Sequence, residues 1–150
     1  MKYSLPDFIF RERENKMFEL KIDENTYKFN FGIGFMKDMN KRHKEDAKRI
    51  FGENARANQG LSIGLSNVFI DDDIEEFIEM LLLANKTFDP KVSRETIVNY
   101  IDNDENDIDE LLDTVKNSLS SSNSCKKEMK RVEELLKEIE KETAEESQSI

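Results

Sequence analysis

Two short stretches of this chain carry residue types at spacings that could do chemistry. The first is Gly32-Ile33-Gly34, set between the alternating run Tyr27, Phe29, Phe31 and a helix-like run that starts at Phe35. A strand, a glycine turn and a helix in that order bring backbone N–H groups against a pyrophosphate in dinucleotide sites. That fingerprint needs a third glycine where Lys37 stands, and a βαβ unit where these strands read as a hairpin. Gly32 and Gly34 are therefore expected to form a structural turn from strand to helix. The second stretch, Asp102 to Asp113, places Asp102, Asp104 and Asn106 at alternating positions, as a calcium loop does. Its sixth position is Asp107 instead of glycine, and its twelfth is Asp113 instead of a bidentate Glu. A capped acidic turn between helices explains the same residues.

Material for catalysis is sparse. The chain has one histidine, His43, and one cysteine, Cys125. Neither has a partner at ligand spacing, so a His-dependent triad or a His/Cys zinc site is not expected. With 33 Asp and Glu in 150 residues, paired carboxylates carry no information. The expectation is a protein that is not an enzyme, with no cofactor and no metal. A net charge of −10 and a pI near 4.7 argue against nucleic acid as a partner. A single cysteine rules out an internal disulfide. No apolar run has the length of a membrane span, so no membrane partner is expected.

Elements follow from periodicity. Phe18, Leu20 and Ile22 alternate with Glu19 and Lys21, and Tyr27, Phe29 and Phe31 alternate with Lys28 and Asn30. Around Asp23-Glu24-Asn25 these runs predict a β-hairpin with one buried face. Phe35, Met36, Met39 and His43 predict a first helix. The short apolar run Leu61–Ile70 reads as helix, with strand left open by Gly64 and its β-branched residues. Asp72 or Asp73, Ser93 and Asp107 are N-caps for three further helices. The Ser-rich run after Leu119 reads as a linker, and the Glu/Lys-rich residues from Lys126 as a weak helix with Met129, Val132, Leu136 and Ile139 at heptad spacing. The expected fold is α+β, mainly α: an N-terminal β-hairpin on a small bundle of about four to five helices, with a flexible or weakly helical C-terminal tail. The expected organisation is an N-terminal extension over 1–16, a domain over 17–119, and a linker and charged tail over 120–150.

Two features point to partners. The segment Ile74–Lys86 has apolar residues all round a helical wheel, with Ile74, Phe77, Ile78, Leu81 and Leu82 on one face and Met80 and Leu83 outside it. Such a helix is buried on two sides, against either a neighbouring helix or another protein. Phe77, Met80, Leu83, Leu136 and Ile139 are the candidate partner-binding residues. Charge is also polarised: basic residues prevail from Lys37 to Arg56 and acidic ones from Asp71 to Asp113. Lys41 and Arg42 meeting Asp72 and Asp73 of another copy is the candidate mode of self-association.

The order of hairpin, short apolar segment with Gly60-Leu61, capped Leu-rich helix, "DPKVSRETIVNYI" and acidic helix resembles the tail assembly chaperones of long-tailed (siphovirus-type) phages of Gram-positive bacteria. Tyr27-Lys28-Phe29 through Gly32, Gly34, Phe35 and Asn40 carry the resemblance most strongly, and it spans about Met17 to Leu119. It implies a non-enzymatic chaperone that binds the tape measure protein, keeps it soluble and helps recruit tail tube protein. It further implies action in the host bacterial cytoplasm and absence from the mature virion. In many such phages a frameshift yields a longer form, and this chain would correspond to the short one. The alternative is a small acidic cytosolic adaptor or regulatory protein that binds a partner helix.

Overall fold

Alternation puts every second side chain of the first two segments on one face, and that face needs a cover. In the structure, a computed structural model that describes residues 15–148, strand β1 (Met17–Ile22) pairs antiparallel with β2 (Asn25–Asn30). Phe18 stands opposite Phe29 and Leu20 opposite Tyr27. Phe31 extends the ladder by donating its N–H to the Lys16 carbonyl at 2.9 Å. The rings continue across the turn: Phe18 stacks on Phe29 and Phe31, with centroids 5.0 and 6.0 Å apart, and Phe31 meets Phe35 edge-on at 4.8 Å. This aromatic ladder carries the hairpin onto the first helix. Residues 1–14 of the expected N-terminal extension lie outside the described residues.

Seven α-helices follow among the described residues: α1 (Ile33–Arg42), α2 (Lys44–Phe51), α3 (Gln59–Phe69), α4 (Ile74–Asn85), α5 (Arg94–Asp102), α6 (Ile108–Ser120) and α7 (Lys126–Gln148). The α+β, mainly helical class is as expected, and the Leu61 segment is helix. The bundle is larger than expected because the charged residues Lys44–Phe51 form α2 and α7 joins the body. Three caps form as read. Asp73, Ser93 and Asp107 each accept the N–H three residues on, from Glu76, Thr96 and Glu110, at 3.1 Å. Helix α3 packs against α1, α2, α4 and α7, while β2 lies on α4 and β1 touches α6.

Contact between α1 and α3 rests on two glycines one turn apart. A Cβ at Gly60 would lie 2.6 Å from Asn40 Cα, and one at Gly64 would collide with Met39 Cε. The close approach lets Asn40 Oδ1 accept the Leu61 N–H at 2.8 Å, while its Nδ2 donates to Asn58 Oδ1 at 3.0 Å. Asn58, the N-cap of α3, makes no side-chain cap of its own, so a residue of α1 satisfies that helix end.

The expected glycine turn needs correcting. Gly34 sits inside the first turn of α1, and a Cβ added there would meet nothing within 4 Å. Gly32 has an extended backbone, φ −89° and ψ −156°. At Gly32 a Cβ would come within 3.2 Å of Asn30 Oδ1, so the strand-to-helix turn makes at most one demand on glycine. The Ser-rich run is also not a linker. Ser122 and Cys125 are buried, Cys125 Sγ donates to the Phe31 carbonyl at 3.4 Å, and α7 then buries Met129 and Val132. Small side chains here let α6 turn tightly into α7, which composition alone reads as disorder. Ile74, placed on the apolar face of its helix, also faces out, since α4 turns other residues to the core.

These contacts separate the glycines by function. Gly60→Ala is expected to cost about 1–3 kcal/mol through backbone overpacking. Gly34→Ala should be neutral or stabilise by about 0.5–1 kcal/mol, because alanine favours helix and meets open space. Chemical denaturation of the two variants checks both signs.

Candidate functional site

His43 closes α1 and opens α2, four residues after Met39 and eight after Phe35, so the helical period turns it inward. Glu76 stands in the first turn of α4, one turn before Met80, on the flank that meets α1. The two buried side chains join, with His43 Nε2 2.9 Å from Glu76 Oε2 and His43 Nδ1 3.1 Å from Asp46 Oδ2. Arg42 adds a second contact to the same carboxylate, Nε to Oε2 at 3.1 Å, and reaches Glu79 at 3.7 Å. Arg49 holds Asp46 at 3.2 Å, and Arg94 pairs with Glu79. A continuous charge chain thus links α1, α2, α4 and α5. Gly64 borders it: a Cβ there would meet His43 Cδ2 at 3.4 Å and Glu76 Oε2 at 3.5 Å, ordinary contact distances, so its lack of a side chain spares Met39 and not this pair.

The chain fixes its own protonation. The Glu76 hydrogen bond, opposed by burial, raises the His43 pKa above its ordinary value. Burial pushes the Glu76 carboxyl up, but the hydrogen bonds from His43 and Arg42 outweigh it and hold the acid below its usual range. The His43 contact likewise lowers Asp46. Both ring nitrogens of His43 face carboxylates, the arrangement of an imidazolium donor and not of a base with a free lone pair. Its chemistry is to bolt helices together. A second bolt is Glu128, 2 % exposed, held by Arg56 and by Arg131 at 2.9 Å, which fastens α7 to the segment before α3.

The candidate partner-binding residues separate into two groups. Phe77 and Met80 are fully enclosed, so for them the second side of α4 is the protein's own core. Met80, outside the main apolar face of the helical wheel, shares the flank of Glu76, which faces α1. Leu83 is half-buried and lines a shallow hollow with Asp38, Lys41, Arg42 and Glu79. Leu136 is half-buried and Ile139 is 39 % exposed, next to Leu135 at 49 %. Beyond Val132 the helix leaves the body, and residues 140–147 are all exposed. The candidate self-association residues also divide. Lys41 and Asp72 are exposed, but Asp73 caps α4 and Arg42 is spent on Glu76 and Glu79 of its own chain. The basic and acidic stretches meet within one molecule.

The calcium-like stretch is used locally. Asp107 caps α6, Asn103 Oδ1 accepts the Glu105 N–H, and Asn106 donates to the Tyr100 carbonyl. No cluster of three or more His, Cys, Asp or Glu with metal-holding geometry occurs among the described residues. The His43–Glu76 pair is what sequence reasoning missed, since 33 residues separate its members. The available signal was a histidine and a carboxylate each falling on an inward helical stripe.

A family model described as "Phage tail assembly chaperone protein, TAC" matches residues 19–134. No curated protein and no solved structure matches the chain.

The charge chain sets a pH dependence whose sign is fixed. His43, with a raised native pKa, adds stability that is complete below 6.5, its ordinary value, and is lost as pH climbs through the native value. Glu76 and Asp46, with depressed pKa values, add stability that is lost as pH falls through theirs. Thermal melts across pH should show a plateau between these limits, and His43→Gln should abolish the alkaline decline. Glu76→Ala, which strands His43 and Arg42, is expected to cost on the order of 3 kcal/mol.

Proposed function

The chain belongs to the phage tail assembly chaperone family, and from that premise we propose that it binds the tape measure protein, keeps it soluble and helps recruit tail tube subunits, without catalysis. The observation that carries this reading is the outer half of α7. Met129 and Val132 anchor the helix in the core, and its apolar stripe then continues onto Leu135, Leu136 and Ile139 after the helix has left the body. A stripe at helical spacing on an otherwise charged helix suits docking beside another amphipathic helix. Leu83, at the rim of its hollow between α1 and α4, is a second contact of the same kind.

The energetics suit a temporary hold. Each such side chain contributes about 1–2 kcal/mol on burial, so one copy binds weakly and many copies along one long helical substrate bind well. Tube subunits then displace copies one at a time. A net charge of −10 keeps the loaded complex soluble by mutual repulsion. The site of action in this reading is the host bacterial cytoplasm before the virion is complete, and the chaperone leaves before the tail is finished. No helix among the described residues is long and apolar enough to cross a membrane.

Co-expression with the tape measure protein of the same phage tests the proposal. The native chain is expected to hold that protein in the soluble fraction, and the variant carrying Leu135→Asp and Ile139→Asp to release it to the pellet. Both side chains are exposed, so the variant's own stability should change by no more than about 0.5 kcal/mol per site. A tape measure protein that stays insoluble beside the native chain, or stays soluble beside the variant, overturns the reading.

A further inference from the structure

The two edges of the hairpin are not alike. The Phe31-to-Lys16 bond fixes which cross-strand pairs are hydrogen-bonded, and alternation then makes Phe18–Phe29 and Leu20–Tyr27 bonded pairs as well. Glu19 and Lys21 on β1, and Lys28 on β2, therefore turn their backbone groups outward. On β2 that edge is occupied, for Asn85 Nδ2 donates to the Lys28 carbonyl at 3.0 Å. On β1, no hydrogen bond from another element of the described residues reaches Glu19 or Lys21. Hollows run along that edge, walled on their far side by residues of α5 and α6. A hollow of about 120 Å³ runs along Phe18, Glu19 and Leu20 beneath Tyr100, and a polar one of about 330 Å³ continues past Lys21 and Asp23.

We propose that β1 pairs antiparallel with β1 of a second copy across a two-fold axis at Leu20, joining two hairpins into one four-stranded sheet. The sequence of the strand is self-complementary in that register alone. With Leu20 opposite the second copy's Leu20, each Glu19 faces a Lys21, and each Phe18 faces an Ile22. The outward backbone groups of Glu19 and Lys21 then bond each other, as an antiparallel ladder requires. A slip of two residues either way sets Glu19 against Glu19 or Lys21 against Lys21. Charges on an edge strand ordinarily deter pairing; here their opposite signs two residues apart permit one partner and one register. The half-buried Leu20 gains a cover in its own symmetry mate.

Sedimentation velocity of the full chain tests this. The native chain is expected to dimerise, and Glu19→Lys or Lys21→Glu alone to weaken the dimer about tenfold, because each places two like-charge pairs across the axis. The double variant Glu19→Lys with Lys21→Glu restores both pairs and should restore the dimer. Leu20→Cys should give a disulfide-linked dimer under mild oxidant, while Thr26→Cys on the far strand should not. A native chain that stays monomeric, as it would with the edge filled by another strand, overturns the proposal. So does a dimer indifferent to the single reversals, or one that the double exchange fails to rescue.

Discussion

Two helices cannot approach until their backbones touch unless side chains are missing at the crossing, and in this protein the missing ones are at Gly60 and Gly64. Those two absences place α1 against α3 closely enough for Asn40 to finish the end of α3. Beside the same crossing, His43 of the α1–α2 corner meets Glu76 of α4. The hairpin is attached to α1 through its ring ladder, and α7 docks on α3. Hairpin, acidic helices and C-terminal helix are therefore all positioned relative to one crossing. The buried ion pair at its centre adds orientation more than stability, since a charge removed from water regains little on pairing. What it does is penalise every other way of seating α4, because a rotated helix would leave Glu76 buried alone.

Much of this could be read from the chain and some could not, for physical reasons. The hairpin was legible because alternation over two six-residue strands has no helical counterpart, and the caps at Asp73, Ser93 and Asp107 because a cap is a local bond. The family was legible from diffuse positions, and the structure assigns one of them, Asn40, a concrete task. Gly34, another of those positions, has none that its surroundings reveal. The buried faces of α4 were misjudged at Met80 because a helical wheel shows how wide an apolar arc is and not what stands beside it. The Ser-rich corner was misread because serine favours both solvated linkers and tight helix corners, and only the burial of Cys125 and Met129 separates the two. The His43–Glu76 pair depends on a tertiary contact, which no local pattern encodes.

The charge distribution also gains a meaning that composition hid. Part of the basic stretch is neutralised within the molecule: Arg42, His43 and Arg56 all end on carboxylates of their own chain, as does Lys86 on Asp38. A net charge of −10 limits random adhesion among copies. Contacts that do form must then be apolar or locally matched in sign, and the stripe on α7 and the edge of β1 are the places that meet those terms.

Cys125 has a use that its surroundings create. It is the only thiol in the chain, fully enclosed, with a pKa raised by burial and its Sγ directed at the Phe31 carbonyl at the root of α7. A thiolate reagent reaches it only when that corner opens, so its labelling rate is a clock for the undocking of α7 from the hairpin. The molecule carries its own reporter, at the joint between the body and the helix that leaves it.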